Sequence, residues 1–133
     1  VYKRQLVEKV LPVLKEDGIV ICDRFIDSSL VYQGIGRGIG VDNIYNMNLF
    51  ATDGILPDLT IFFDVKPEVA LKRITGDREV NRLDLESLDF HHKVYEGYQM
   101  ICDKFPDRIV KVDASLPVEE VYRQVYEIVK DRL

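Results

Sequence analysis

Eleven consecutive residues gather most of the polar chemistry in this chain: Asp23-Arg24-Phe25-Ile26-Asp27-Ser28-Ser29-Leu30-Val31-Tyr32-Gln33. The planar fork of Arg24 can hold two phosphate oxygens at once. Ser29 and Gln33 are four apart and share a face if the segment is helical. A glutamine amide accepts from a pyrimidine N3–H and donates to O4, which suits thymine or uracil and mismatches cytosine. The cluster therefore offers partners for a phosphate, a sugar and a base. The plainer readings are that Ser29 caps a helix, that Tyr32 is core, and that Arg24 pairs with Asp23 or Asp27.

A second cluster lies downstream. Lys72, Arg73, Arg78 and Arg82 put four cations into eleven residues, interrupted by Asp77 and Glu79. Such a run is either a solvated face or a clamp on an anion. Asp23, Asp64 and Asp113 each end a β-rich run, so in a parallel sheet they would meet at one rim, where carboxylates bind Mg²⁺, its waters or ribose hydroxyls. Aspartate also simply favours turns after strands. His91 and His92 are adjacent and diverge by about 100° on a helix, so one helix cannot aim both at a single metal. The glycines at 34, 36, 38 and 40 lack the G-x-G-x-x-G spacing of a dinucleotide loop and read as backbone that approaches a ligand closely.

The elements that must position these groups follow from periodicity. Leu6, Val7, Val10, Leu11 and Leu14 keep helical spacing, with a kink expected at Pro12 and a stop at Gly18. Ile19–Cys22 reads as a buried parallel strand whose carboxyl end carries the first cluster. Residues 28–33 start a helix that the glycines break into a loop. Asp42 or Asn43 is expected to cap a helix carrying Ile44, Met47, Leu49 and Phe50 and ending near Gly54. A second strand is expected over Leu59–Val65, a helix from Pro67 through Ile74, a loop or partly helical lid over Thr75–Leu88, and a long helix on Phe90, Val94, Tyr98, Ile101 and Phe105. A third strand is expected at Ile109–Val112, and a last helix on Val118, Val121, Val125, Ile128 and Val129. Strands alternating with helices predict right-handed crossovers and a parallel α/β sheet.

Composition narrows the class. A length of 133 residues with 47% hydrophobic and 31% charged content fits one soluble domain, 1–133. The net charge of −5 argues against a sequence-independent nucleic-acid surface, so an anionic ligand must be held by local arginines. No apolar run approaches the roughly 20 residues of a membrane span, and no signal segment opens the chain, so a cytoplasmic protein with no membrane partner is expected. Cys22 and Cys102 are expected as reduced structural thiols. The opening Val1-Tyr2-Lys3-Arg4-Gln5 lacks an initiator methionine and is already helical in pattern, which reads as a fragment.

In order and spacing, six groups of residues resemble the thymidylate kinase family from about Leu6 onward. They are Asp23-Arg24-Phe25 with Asp27-Ser28-Ser29; Tyr32-Gln33-Gly34 with Gly36-Arg37-Gly38; Ala51-Thr52-Asp53-Gly54; Leu56-Pro57-Asp58-Leu59-Thr60; Asn81-Arg82-Leu83-Asp84; and Phe90-His91 with Gly97-Tyr98. The resemblance implies the carboxy-terminal two-thirds of an enzyme that transfers the ATP γ-phosphate to dTMP with Mg²⁺, giving dTDP, and that works as a homodimer. It implies a P-loop-kinase-type three-layer parallel sheet with flanking helices, ordered 2-3-1-4-5, of which this chain lacks the first two strands. By the same resemblance Arg24 meets the phosphates of the acceptor and of the transferring group, and Asp23 arranges Mg²⁺ through water. Ser29 and Gln33 face the base, Tyr32 packs on the deoxyribose, and Arg37 belongs to the acceptor side. Arg73, Arg78 and Arg82 serve ATP from a lid at about 75–88, with Arg82 the catalytic lid arginine.

Two departures stand out. No G-x-x-x-x-G-K-[ST] phosphate loop occurs, and Tyr2 stands where the family has a base-reading arginine, with Arg4 nearby but out of register. The isolated chain is therefore expected to be inactive. Another deoxynucleoside or nucleoside monophosphate kinase, or a non-catalytic α/β interaction module, are the alternative readings.

Overall fold

The computed structural model describes residues 2–76 and 82–132; the side chains of 2, 3 and 82–86 lie outside the description. Where composition suggests one domain, the chain divides into two compact units, Val1–Pro57 and Asp58–Leu133.

In the first unit, α1 (Tyr2–Gln5), a π-helical segment (Leu6–Val10) and α2 (Leu11–Lys15) run on end to end. The expected disturbance at Pro12 takes this form because proline has no N–H to donate. The ladder widens just before it, and Leu11 N–H donates five residues back to Leu6 O. The stop also differs in detail. Asp17, not Gly18, takes the left-handed conformation at φ +56°, while Gly18 N–H bonds Val13 O at 2.9 Å. Gly18 serves by being small, since a Cβ there would lie 2.5 Å from Val13 Cγ1.

Ile19–Cys22 is not a strand. The segment has no paired neighbour among the described residues, and Ile19 and Ile21 are 65% and 92% exposed. An apolar run has strand propensity, but a strand needs a partner for its N–H and C=O groups. Cys22 is accordingly exposed rather than buried in a sheet, while Cys102 is buried, and both thiols are free.

Beyond it, α3 (Ile26–Ser29) continues into a second π-helical segment (Leu30–Gly36), so the glycines do not break the helix as expected. Gly34 is buried where the next helix crosses: a Cβ would stand 3.1 Å from Val41 Cα. The turn comes later, at Gly38 (φ +70°) and Gly40 (φ +97°). Helix α4 (Val41–Ala51) starts earlier than expected, with Gly40 rather than Asp42 or Asn43 at its N-cap. Asn43 instead reaches back, its Nδ2 donating to Ile39 O at 2.9 Å. The core of this unit is Leu6, Ile26, Leu30, Val31 and Ile44.

In the second unit, β1 (Thr60–Asp64) pairs in parallel with β2 (Ile109–Asp113), so Asp64 stands opposite Asp113 as their strand-end positions require. Among the described residues the sheet has these two strands, one fewer than the three expected, Ile19–Cys22 not being a strand. Helix α5 (Pro67–Thr75) has its proline in the first turn and ends at Gly76, φ +56°. Helix α6 (Arg82–Lys104) begins well before Phe90, so the later part of the segment expected as loop or partly helical is helical, while residues 77–81 lie outside the described residues. The first residues of α6 are mostly good helix formers by type. Val94, Ile101, Ile109 and Val112 are buried here, and the Phe62 and Tyr98 rings stack at 4.7 Å. Helix α7 (Val118–Lys130) keeps its expected stripe only half-buried, with Val118 79% exposed. No helix among the described residues is long and apolar enough to cross a membrane.

Candidate functional site

The acceptor-side candidates all fall in the first unit. Arg24 follows the largely exposed 19–23 segment with φ +63°, in the left-handed region that a bulky side chain rarely adopts. Its side chain meets two neighbours. Its Cζ lies 4.5 Å from the Tyr32 ring centroid and its Nε reaches Ser28 Oγ at 3.4 Å. Ser28 and Tyr32 are four and eight residues on, so the α3 turn and the π-helical segment after it place both beside Arg24. The hydrogen bond uses Nε and not the two Nη atoms of the bidentate end.

Exposure separates the other candidates. Asp23, Gln33 and Arg37 are exposed, Tyr32 is half-buried, and Ser29 is buried. Asp27 is buried as well, at 5% exposure, although sequence reasoning gave it no role beyond a possible partner for Arg24. Ser28 was likewise missed as a contact of Arg24. Its position four residues after the arginine, on a helical pattern, was the available signal.

The second unit holds the donor-side candidates. Arg73, on α5, donates from Nη1 to Ala114 O at 2.8 Å and from Nη2 to Ser115 O at 2.9 Å, clamping the turn after β2. That turn is braced from within, because Asp113 Oδ1 accepts from Ser115 N–H at 2.9 Å and from Ser115 Oγ at 2.5 Å. These bonds favour the charged carboxylate and hold Asp113 below its ordinary pKa. Gln124 on α7 grips the same residue, Oε1 accepting Asp113 N–H and Nε2 donating to Asp113 O. No sequence signal marks Gln124, since the contact depends on how α7 folds back. Arg78 and the side chain of Arg82 lie outside the described residues.

Asp64, opposite Asp113, is also engaged by protein. Gln99 Nε2 donates to it at 3.3 Å, and Lys111 Nζ donates to Gln99 Oε1. Burial, together with a hydrogen bond to Asp64 and the nearby charges of Asp64 and Glu68, raises the Tyr95 phenol above its ordinary pKa. Asp113 thus braces its own turn, as aspartate does after strands, while Asp64 bonds Gln99 on α6. His92 Nε2 sits 2.9 Å from Glu68 Oε1, tying α6 to α5, which fits neighbouring histidines with separate tasks.

For Mg²⁺, no group of three or more His, Cys, Asp or Glu that could hold a metal occurs among the described residues. Mg²⁺ commonly binds through one or two carboxylates, with water and substrate phosphates completing its shell. An exposed Asp23 next to Arg24 fits that mode.

Comparison with known proteins agrees with this architecture. A sequence model described as thymidylate kinase matches residues 2–125. The chain is 55% identical to a thymidylate kinase of Clostridium novyi (strain NT), covering 96% of this chain and 63% of that protein. It is 53% identical to one of Bacillus cereus (strain ATCC 14579), covering 98% and 64%. The crystal structure of thymidylate kinase from Ehrlichia chaffeensis superposes with a TM-score of 0.72 at 28% identity, over 96% of this chain and 58% of that one. The chain thus spans less than two thirds of these relatives. On the match over residues 2–125 and on identities above half, the chain belongs to the thymidylate kinase family.

Proposed function

We propose that this chain is the acceptor and lid portion of a thymidylate kinase, which transfers the ATP γ-phosphate to dTMP to give dTDP. Phosphoryl transfer asks a protein for positioning and positive charge around the moving group, not for covalent chemistry. The observation that carries the reading is Arg24, whose backbone is left-handed and whose hydrogen bond among the described residues uses Nε and not the bidentate Nη end. In this role Arg24 binds the acceptor phosphate and the group in flight. Ser29 and Gln33 read the base, Tyr32 lies against the deoxyribose, and Arg37 completes the acceptor side.

On the donor side Arg73, Arg78 and Arg82 serve ATP. For Arg73 the two carbonyl bonds favour an action through the 113–115 turn. Mg²⁺ would be held by Asp23 through water, and when bound it neutralises phosphate charge. We further propose a cytoplasmic homodimer, as the family resemblance implies.

The test completes the chain with the third of the Clostridium novyi relative that it does not span. In a coupled ADP-release assay with ATP and Mg²⁺, the hybrid is expected to turn over dTMP in preference to dCMP or AMP. The 133-residue chain alone is expected to show no turnover. Activity restricted to another monophosphate would replace dTMP as the substrate. No turnover from a folded hybrid would favour a non-catalytic module.

A further inference from the structure

The geometry points to Tyr32 as a positioning residue for Arg24, one that acts on the phosphate end of the acceptor through the guanidinium. This goes beyond its assignment to the sugar. Three observations converge. The Arg24 backbone sits at φ +63°, where a non-glycine residue pays a steric penalty unless its surroundings hold it. The guanidinium carbon stands 4.5 Å from the Tyr32 centroid, inside the roughly 6 Å range of cation–π attraction. Nε is directed onto Ser28 Oγ at 3.4 Å, a long contact that orients more than it binds. One face of the guanidinium lies over the ring and its Nε edge meets Ser28, while the in-plane Nη pair, which matches two phosphate oxygens, is not used by that hydrogen bond.

An arginine side chain has many rotamers, and freezing them when ligand arrives weakens binding. A guanidinium already held on a ring loses less on each hydrogen bond it then forms. The aromatic face, not the phenol oxygen, does this work. The inference rests on the acceptor-side reading of Arg24, so its test carries one arm independent of activity.

In the 133-residue chain, the Arg24 side-chain Nε–H resonance is expected upfield of the other arginines because it lies over a ring. Tyr32→Phe is expected to preserve that shift, and Tyr32→Leu to abolish it. An Arg24 resonance identical in wild type and Tyr32→Leu would overturn the inference, whatever the enzyme's activity.

The second arm is a double-mutant cycle in the hybrid enzyme, read as kcat/KM for dTMP. Tyr32→Leu is expected to lower it roughly 5- to 30-fold, the range of a cation–π contact from exposed to desolvated, and Tyr32→Phe is expected to recover most of the loss. In an Arg24→Ala background, Tyr32→Leu is expected to cost under about twofold, because nothing remains to position. Full additivity of the two substitutions would mean that Tyr32 acts on the sugar alone and would overturn the inference. A folded wild-type hybrid inactive on dTMP would instead remove the functional reading and leave the resonance to decide the contact.

Discussion

Gly34→Ala separates two explanations of a glycine that sequence alone cannot. If Gly34 merely loosened a loop, alanine would stabilise the protein, since glycine within a helix costs about 0.5–1 kcal/mol relative to alanine. In the structure Gly34 lies within the π-helical segment, buried against the start of α4. A Cβ there would stand 3.1 Å from Val41 Cα, 3.3 Å from Val41 N and 3.4 Å from Gly40 C. All three are backbone atoms, and the Gly40 N–H to Gly34 O bond of 2.9 Å ties them to the very residue being enlarged. They can yield only by lifting the helix. Overpacking of this kind costs about 1–3 kcal/mol. Subtracting the helical gain leaves a net loss of about 1 kcal/mol, with about 2 kcal/mol as the upper end. The readout is native-state hydrogen exchange at the Ile44 amide, which bonds Gly40 O at 3.1 Å. A loss of that size speeds exchange roughly 5- to 30-fold if local opening governs it. Gly38→Ala is the control, because its Cβ would meet nothing within 4 Å, and the penalty comes only from φ +70°. Exchange at Ile44 that is unchanged or slower in Gly34→Ala would refute the packing argument.

Arg73→Ala removes both bonds to Ala114 and Ser115 and is expected to raise exchange at amides of the 113–115 turn several-fold, with Arg73→Lys restoring part of the protection. Unaltered exchange there would mean that Asp113 and Gln124 hold the turn without it. The Asp113 carboxyl, held low in the folded state, contributes stability that is in place above the ordinary carboxylate value of about 4 and is lost as pH falls through its lower folded value. Ser115→Ala is expected to move its titration upward, as followed by carboxyl-carbon NMR, and an unmoved curve would discredit the assigned cause. In the hybrid enzyme, Gln33→Glu is expected to cost about 1–3 kcal/mol in kcat/KM for dTMP, because an ionised carboxylate has no donor for O4. Unchanged preference over dCMP would withdraw Gln33 from base recognition.

What the sequence disclosed depended on whether the deciding partner was local. The runs at Thr60–Asp64 and Ile109–Asp113 are legible because each pairs with the other within this chain. Ile19–Cys22 looks as strand-like by composition, yet the described residues supply no neighbour to bond it. Propensity reports what a segment tolerates, while pairing is a property of its surroundings. Gly34 carries a related ambiguity, because a glycine that permits close approach and one that permits a turn are the same letter. On the site, Arg24 stands out by residue type and position. Its contact with Tyr32 was hidden, since it depends on the left-handed backbone at Arg24, which residue types do not announce. Gln124 was invisible because its partner is backbone, and backbone has no sequence signature.

Arg24 is proposed as the cationic group of a phosphoryl-transfer site. Its most direct test is transfer of label from [γ-³²P]ATP to dTMP by the hybrid enzyme and its Arg24→Ala variant, each saturated with both nucleotides and Mg²⁺. Labelled dTDP is expected from the first, and a kcat lowered roughly 100-fold or more in the second at unaltered thermal stability, because the lost contact strengthens as the phosphoryl group moves. Equal kcat values, or a variant altered only in its melting temperature, would contradict it and make Arg24 a structural residue.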